Sequence, residues 1–264
     1  MRQAPEPAGM TTMQDASLLL FGILSRRIPS AARSWLERVE RVTGTGAGLG
    51  GTPDARKSES STWFDLDRFL ATFTAAVRVL GRGQLGLHPD ERDALEAAGV
   101  AAVVDGRALD ELGRVTMLVH VSRRLPAPEL ESLFRVCYEQ GDGRERQALL
   151  RALPLLTEAQ SFVPLAVEAC RTNELPIFEA IACENPYPAA YFPDLNFNQM
   201  VLKAMFMGVA LARIIGLDRR RSGELARMAE DFASERRAAG RSIPADIGLL
   251  SLDHERERAT RIPE

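Results

Sequence analysis

The amino-acid sequence predicts an all-α fold, arranged either as a HEAT-like helical repeat or as an irregular helical bundle. Apolar residues recur at intervals of three and four, as on one face of a helix, and no long segment alternates with a period of two. From Pro126 onward, short helical patterns follow one another with Gly, Pro or Asn breaks, which is typical of stacked helix pairs. Because no strict repeat motif is present, both architectures stay open.

The N-terminal region predicts helices followed by a flexible connection. Helical patterns occupy residues 1–42, with Ser30 as a cap for the second helix. Residues 43–61, TGTGAGLGGTPDARKSESS, are rich in glycine and serine and poor in large apolar side chains, so we expect a mobile connection there. Its Gly46–Gly51 stretch matches GxGxxG by letters, but a helix precedes it instead of a strand, which argues against a dinucleotide site.

The main helical domain is expected over residues 62–250, followed by a charged tail at 251–264. Thr62 and Asp65 resemble a capping pair for its first helix. Pro89 stands in the first turn of the next helix, where a missing backbone N–H costs little.

Composition excludes several classes of function. The chain has 264 residues, 45% hydrophobic and 26% charged, with a formal net charge of −3, so it lacks the overall positive charge typical of nucleic-acid binding. Its three cysteines are widely spaced without a CxxC pair, which is typical of free thiols in a reducing cytoplasm. His88, His120 and His254 do not cluster, and we expect them at a helix cap, in the core and in solvent. We therefore expect a cytoplasmic protein with no metal, no cofactor and no recognisable catalytic motif.

The stretch ENPYPAAYFPDLNFNQMVLKAMF, which begins at residue 184, is the most unusual part of the chain. Its prolines restrict their own backbone and that of the residues before them, which predicts a preset, extended loop with defined directions for Tyr187 and Tyr191. In the helix that follows, Asn196, Gln199 and Lys203 stand at i, i+3 and i+7 and form one polar stripe.

Two hypotheses fit this polar stripe. Either a buried polar network holds the loop to the helices, or the stripe faces a pocket and orients a polar ligand, with the tyrosines as walls. In both, the natural partner of the Lys203 ammonium is Glu184 or Asp194, and Asp194 and Asn196 are possible helix caps. The candidate ligand-binding residues are Glu184, Asn185, Tyr187, Tyr191, Asp194, Asn196, Gln199 and Lys203.

Two long segments, CENPYPAAYFPDLNFNQMVLKAMFMGVALARIIGL and ELARMAEDFASERRAAGRSIPADI, strongly resemble the C-terminal half of EboA-type proteins. The match is specific from Cys183 to Ile247, and the helices from Pro126 onward fit the same family. The resemblance implies a component of a secondary-metabolite trafficking system, encoded in bacterial gene clusters, that helps to move metabolite precursors from the cytoplasm to the periplasm. It implies partners from the same gene cluster, with a UbiA-like membrane prenyltransferase as a candidate that would bring the protein to the inner membrane. It supplies no catalytic residues.

Together, these observations favour a non-enzymatic helical scaffold or metabolite-binding protein. The alternative is an enzyme that acts on a small polar metabolite through a pocket near Glu184, Tyr187 and Lys203. A closed pocket lined by Lys203 and tyrosines would favour small-molecule chemistry, whereas a flat or fully packed region would favour scaffolding.

Overall fold

The computed structural model describes residues 10–28, 30–43 and 64–251. Within these ranges the chain forms fourteen α-helices and no strand, which confirms the all-α prediction. The HEAT-like arrangement stays a prediction. The predicted mobile connection, apart from Thr43, and the charged tail, apart from Ser251, lie outside the described residues, as do Thr62 and His254.

Contacts divide the chain into two compact units, unit 1 (Met1–Phe162) and unit 2 (Val163–Glu264). The helices of unit 1 are α1 (Met10–Arg27), α2 (Arg33–Thr43), α3 (Leu66–Leu80), α4 (Pro89–Ala97), α5 (Ala101–Val104), α6 (Leu109–Ser122), α7 (Ala127–Gln140) and α8 (Gly143–Ala152). The helices of unit 2 are α9 (Val163–Ala169), α10 (Leu175–Ala182), α11 (Tyr187–Tyr191), α12 (Asp194–Met207), α13 (Leu217–Arg220) and α14 (Gly223–Ala238).

The starts of α3 and α4 follow their sequence signals. The Asp65 side chain caps α3 by accepting a hydrogen bond from the Arg68 N–H at 3.0 Å. At α4, His88 is the N-cap and Pro89 is the first helical residue, and the Glu91 carboxylate accepts the His88 N–H at 3.0 Å. These contacts satisfy backbone donors that the first turn of a helix leaves without partners. They confirm the positions expected of His88 and Pro89, whereas Asp65 is itself the N-cap of α3 and its expected pairing with Thr62 stays a prediction.

Helix α6 is the centre of unit 1, where it packs against α1, α3 and α8. Most of its residues are buried, including the predicted core residue His120, whose ring stacks on Phe21 with 5.3 Å between ring centroids. Gly113 lies where α6 meets α2 and α3. A Cβ atom there would stand 2.5 Å from Leu80 Cδ1 and 3.0 Å from Trp35 Cη2, so the close approach of these helices requires glycine.

A buried ionic network joins α6 to α8 in unit 1. The Asp110 carboxylate is fully buried and accepts hydrogen bonds from Arg114 Nη1 at 2.7 Å and from Arg144 Nη2 at 2.6 Å. Arg114 also donates to the Phe73 carbonyl at 3.2 Å. Burial opposes ionisation of Asp110, but Arg144 and Arg114 hold the pKa of its carboxyl below the ordinary value. The network is therefore a set of mutually compensated charges that link two helices.

The cysteines Cys137, Cys170 and Cys183 are buried and free, as expected. In the described ranges, no group of three or more His, Cys, Asp or Glu side chains is placed to hold a metal ion. None of the helices in that part of the chain combines the length and the apolar character that a bilayer-spanning helix needs.

Candidate functional site

The segment that precedes α12 is partly helical, which corrects the prediction of an extended loop. Residues Tyr187–Tyr191 form α11, with Pro186 at its N-cap in a helical conformation (φ −75°, ψ −11°). Pro188 lies in the first turn, where its missing N–H leaves no acceptor without a partner. The prolines therefore start a short helix in this context. The residue before Pro193, Phe192, is extended as expected (φ −71°, ψ 138°).

Asn185 fixes the entry to this short helix. Its side-chain Oδ1 accepts the Tyr187 N–H at 3.0 Å, and its Nδ2 donates to the Ala180 carbonyl at 2.9 Å. The residue is only 1% exposed, so both hydrogen bonds are shielded from water. Asn185 thus ties the start of α11 to the end of α10, which is a structural role.

Arg213 pairs with Glu184, one of the two carboxylates expected to pair with Lys203. Its Nε and Nη2 donate to the two carboxylate oxygens of Glu184 at 2.8 and 2.9 Å, and its Nη1 pairs with Glu179. Hydrogen bonding to Glu184 raises the pKa of Arg213 above its ordinary value. Glu184 itself has a left-handed backbone (φ 49°), uncommon for a residue other than glycine, and its N–H donates to the Arg213 carbonyl at 2.9 Å. Two-point contact with Arg213 therefore holds a strained turn in place.

Arg220 closes the other end of α11. Its guanidinium donates to the carbonyls of Ala189 and Phe192, both at 2.7 Å, and stacks over the Phe197 ring at 4.6 Å. It also reaches Asp194 at 3.1 Å, although that carboxylate is 91% exposed. Asp194 therefore pairs with Arg220 and not with Lys203.

The expected caps of α12 lie inside the helix. Pro193 is the N-cap, so Asp194 is the first helical residue and Asn196 lies two positions further along. Proline fixes the backbone dihedral that a helix start needs, and it leaves the acidic side chain near the positive end of the helix dipole. The cap prediction was wrong because it considered side-chain acceptors and not the preset backbone of Pro193.

The two tyrosines form packing contacts instead of pocket walls. Tyr187 is fully buried, and its ring lies 4.8 Å from the Tyr191 ring and 6.2 Å from the Phe192 ring, centroid to centroid. Burial raises the pKa of both phenols above the ordinary value. The expectation that they line a pocket is therefore replaced by a small aromatic cluster that supports the residues around Phe192.

A cavity of about 260 Å³ lies in unit 2, between the end of α9 and the part of α12 from Asn196 to Lys203. The polar stripe faces this cavity, so three of the eight candidate residues are brought together there. The other five, Glu184, Asn185, Tyr187, Tyr191 and Asp194, lie outside its lining. The lining residues are Val167, Cys170, Arg171, Phe192, Asn196, Gln199, Met200 and Lys203.

The polar groups of the stripe are not engaged by the protein. Within the described ranges, neither the Asn196 nor the Gln199 amide has a hydrogen-bond partner, and no carboxylate lies within ion-pair distance of the Lys203 ammonium. Lys203 Nζ instead lies 5.8 Å from the centroid of the Phe178 ring. Asn196 and Lys203 are half-buried and Gln199 is exposed, so these groups are hydrated when the cavity holds only solvent.

Cys170 and Met200 form the apolar part of the cavity wall with Phe192 and Val167. Burial raises the pKa of the Cys170 thiol to about 12, and the neighbouring Lys203 ammonium acts in the opposite direction. The thiol is thus neutral at physiological pH and behaves as a small apolar group. Among the described residues that line the cavity there is no carboxylate and no histidine, so the wall offers binding groups and no acid–base pair.

A second cavity in unit 2, of about 440 Å³, opens beside the C-terminal end of α12. The charged side chains that line it are already hydrogen-bonded to backbone groups of the protein. Arg236 donates to the Ser242 carbonyl at 2.5 Å, and Asp246 accepts the Leu211 N–H at 2.6 Å. It is larger, but it lacks the unengaged polar groups of the α9–α12 cavity. We therefore take the α9–α12 cavity as the candidate site.

Sequence reasoning missed five cavity residues, Val167, Cys170, Arg171, Phe192 and Met200. It also missed Arg213 and Arg220 as the groups that fix the segment. Phe192 could have been found because it directly precedes Pro193, and a residue before a proline has a restricted backbone. The arginines gave no local signal.

Comparisons with known proteins give one finding. A family model described as "Metabolite traffic protein EboA" matches residues 54–250, which includes the whole candidate site. No curated protein and no solved structure matches the chain.

Proposed function

Because the chain belongs to the EboA family of metabolite traffic proteins, we propose that it is a non-enzymatic component of such a system and binds a small metabolite in the α9–α12 cavity. In this proposal the protein works on the cytoplasmic side and helps to pass metabolite precursors towards the periplasm. Its partners are proteins of the same gene cluster, with a UbiA-like membrane prenyltransferase as the candidate at the membrane.

The observation that carries the proposal is the set of three unengaged polar side chains around one cavity. Asn196, Gln199 and Lys203 share one side of α12, and in the described chain they have no protein hydrogen-bond or ion-pair partner. Small-molecule sites combine a mostly apolar wall with a few polar groups that fix orientation, and Phe192 and Met200 supply such a wall here.

The alternative of an enzyme has less support. It required Glu184, Tyr187 and Lys203 in one pocket, but Glu184 is paired with Arg213 and Tyr187 is fully buried. Lys203 then has no acid–base partner among the described lining residues. The lining therefore supports the binding proposal more than the enzyme.

The test is recovery of small molecules with the purified protein. Tagged wild-type protein and the Lys203→Met variant are purified from the cells that naturally make the protein, and the released small molecules and co-purifying proteins are identified by mass spectrometry. We expect one small molecule enriched with the wild type and depleted from the variant, because the substitution removes the cavity's unpaired cation.

Arg219→Met is the matched control, since Arg219 is exposed and lies outside the cavity lining. It removes the same charge from the surface and should leave the bound molecule in place. Equal recovery of every small molecule from the wild type and from Lys203→Met would contradict binding at this cavity.

A further inference from the structure

We infer that the molecule bound in the α9–α12 cavity carries an anionic group, a carboxylate or a phosphate, that pairs with Lys203, joined to a small apolar body. This inference rests on the proposed function and names the chemical class of its ligand.

The charged side chains that line the cavity are all positive among the described residues. Lys203 and Arg171 are on the wall, and no carboxylate is found among the described residues that line it. Arg171 is largely exposed and is paired with Glu168 at 2.7 Å, so part of its charge is already compensated. Lys203 is the cation that a ligand can neutralise.

The two carboxylates that the sequence offers as partners for Lys203 are paired with arginines instead. Glu184 is held by Arg213, and Asp194 is held by Arg220 at 3.1 Å with its side chain in solvent. Lys203 is half-buried beside the Phe178 ring. A half-buried ammonium loses hydration, and an anion brought by a ligand restores a favourable partner.

The two amides extend the polar side of the site along α12. A helix rises about 1.5 Å per residue, so Asn196, Gln199 and Lys203 span about 10 Å on one side. Each amide can both donate and accept hydrogen bonds, so it can pair with a donor or an acceptor atom of the ligand. The anionic group is therefore expected at the Lys203 end, and further polar atoms of the ligand towards Asn196.

Apart from Arg171, the rest of the cavity lining is apolar and neutral. Phe192, Met200 and Val167 present carbon and thioether surface, and Cys170 is a protonated thiol. These groups suit an apolar body and reject a second charge. The volume of about 260 Å³ limits that body to a small one, such as a single ring or a short chain.

The experiment compares probes that share one body and differ in charge. Phenylacetate and phenyl phosphate are the anions, phenylacetamide is the neutral probe and phenethylamine is the cation, with inorganic phosphate alone as a further arm. Binding to the full chain is followed by NMR with methyl-labelled methionine, in which Met200 reports on the cavity. Affinity is measured for the wild type, Lys203→Met, Lys203→Arg and the surface control Arg219→Met.

We expect the anionic probes to shift Met200 and to bind at least about tenfold more tightly than the neutral and cationic probes. Lys203→Met should lose about this tenfold advantage, Lys203→Arg should retain most of it, and Arg219→Met should behave as the wild type. A preference for phenylacetate or for phenyl phosphate distinguishes a carboxylate from a phosphate ligand, and inorganic phosphate shows how much the body contributes.

Two outcomes overturn the inference, and they differ in what they leave standing. If the neutral or cationic probe binds at Met200 as tightly as the anions, the anionic class is wrong while metabolite binding at this cavity stands. If no probe of any charge shifts Met200, both the inference and the proposed function fail. Should Lys203→Met not fold, the comparison of probes on the wild type decides by itself.

Discussion

Replacing Arg220 by alanine should destabilise unit 2 and loosen the segment that carries Phe192. The guanidinium holds the carbonyls of Ala189 and Phe192 at 2.7 Å and covers the Phe197 ring, and its side chain is only 19% exposed. In Arg220→Ala both carbonyls lose a charged donor in a place that water reaches poorly.

The magnitude follows from these contacts. Hydrogen bonds to charged groups contribute about 1.5–3 kcal/mol each, and a partly buried cation–π contact adds about 1 kcal/mol. The pair with the exposed Asp194 carboxylate adds little. Because water replaces part of what is lost, we expect the free energy of unfolding to fall by about 3–4 kcal/mol.

Urea unfolding measures this loss, with Arg219→Ala as the matched control. Arg219 is the exposed neighbour of Arg220, so its removal changes the same net charge and should shift the free energy of unfolding by no more than about 0.5 kcal/mol. Arg220→Lys keeps the charge but not the planar fork and should fall between the two. If Arg220→Ala and Arg219→Ala are equally stable, Arg220 does not hold this segment and the reasoning is refuted.

Two further predictions concern buried ionisable groups. Asp110→Ala leaves the guanidinium groups of Arg114 and Arg144 without their shared carboxylate and should lower the free energy of unfolding of unit 1, measured by urea unfolding, by about 3–5 kcal/mol. Asp105→Ala removes an exposed pair and should change the same quantity little. Burial raises the pKa of the Cys137 thiol from 9.0 to about 12, with Glu145 acting in the same direction, so the folded state keeps a proton that the unfolded state releases above pH 9.0. The contribution of this thiol to the free energy of unfolding is therefore fully present below pH 9.0. Between pH 9.0 and about pH 12 the free energy of unfolding should fall by about 1.4 kcal/mol per pH unit because of this thiol. Urea unfolding at about pH 8 and about pH 10 should show this slope reduced in Cys137→Ala, and an identical slope in both proteins would count against a buried protonated thiol.

Signals confined to one helix were readable from the sequence. The all-α fold follows from apolar spacing, the start of α4 from His88 and Pro89, and the burial of His120 from its place in an apolar helix. The polar stripe was also visible, because Asn196 and Lys203 are on one helix and their spacing alone puts them on one side.

Features that depend on distant residues could not be read in this way. Arg213 reaches Glu184 across 29 positions and Arg220 reaches Asp194 across 26, and no local pattern singles out these arginines among so many. Local sequence favoured Lys203 as the partner of Glu184 or Asp194, since it is closer to each of them along the chain than the arginines are. The helix α11 was missed because prolines fit an extended loop and a first helical turn equally well, and the Asn185 contacts decide between them.

The most direct test of the central claim is a crystal structure of the full chain purified with its natural metabolite from the cells that make it. We predict electron density for one small molecule in the α9–α12 cavity, with an acidic oxygen within hydrogen-bond distance of Lys203 Nζ and polar atoms facing Asn196 and Gln199. Density for the metabolite at another place, with only water beside Lys203, would contradict the account.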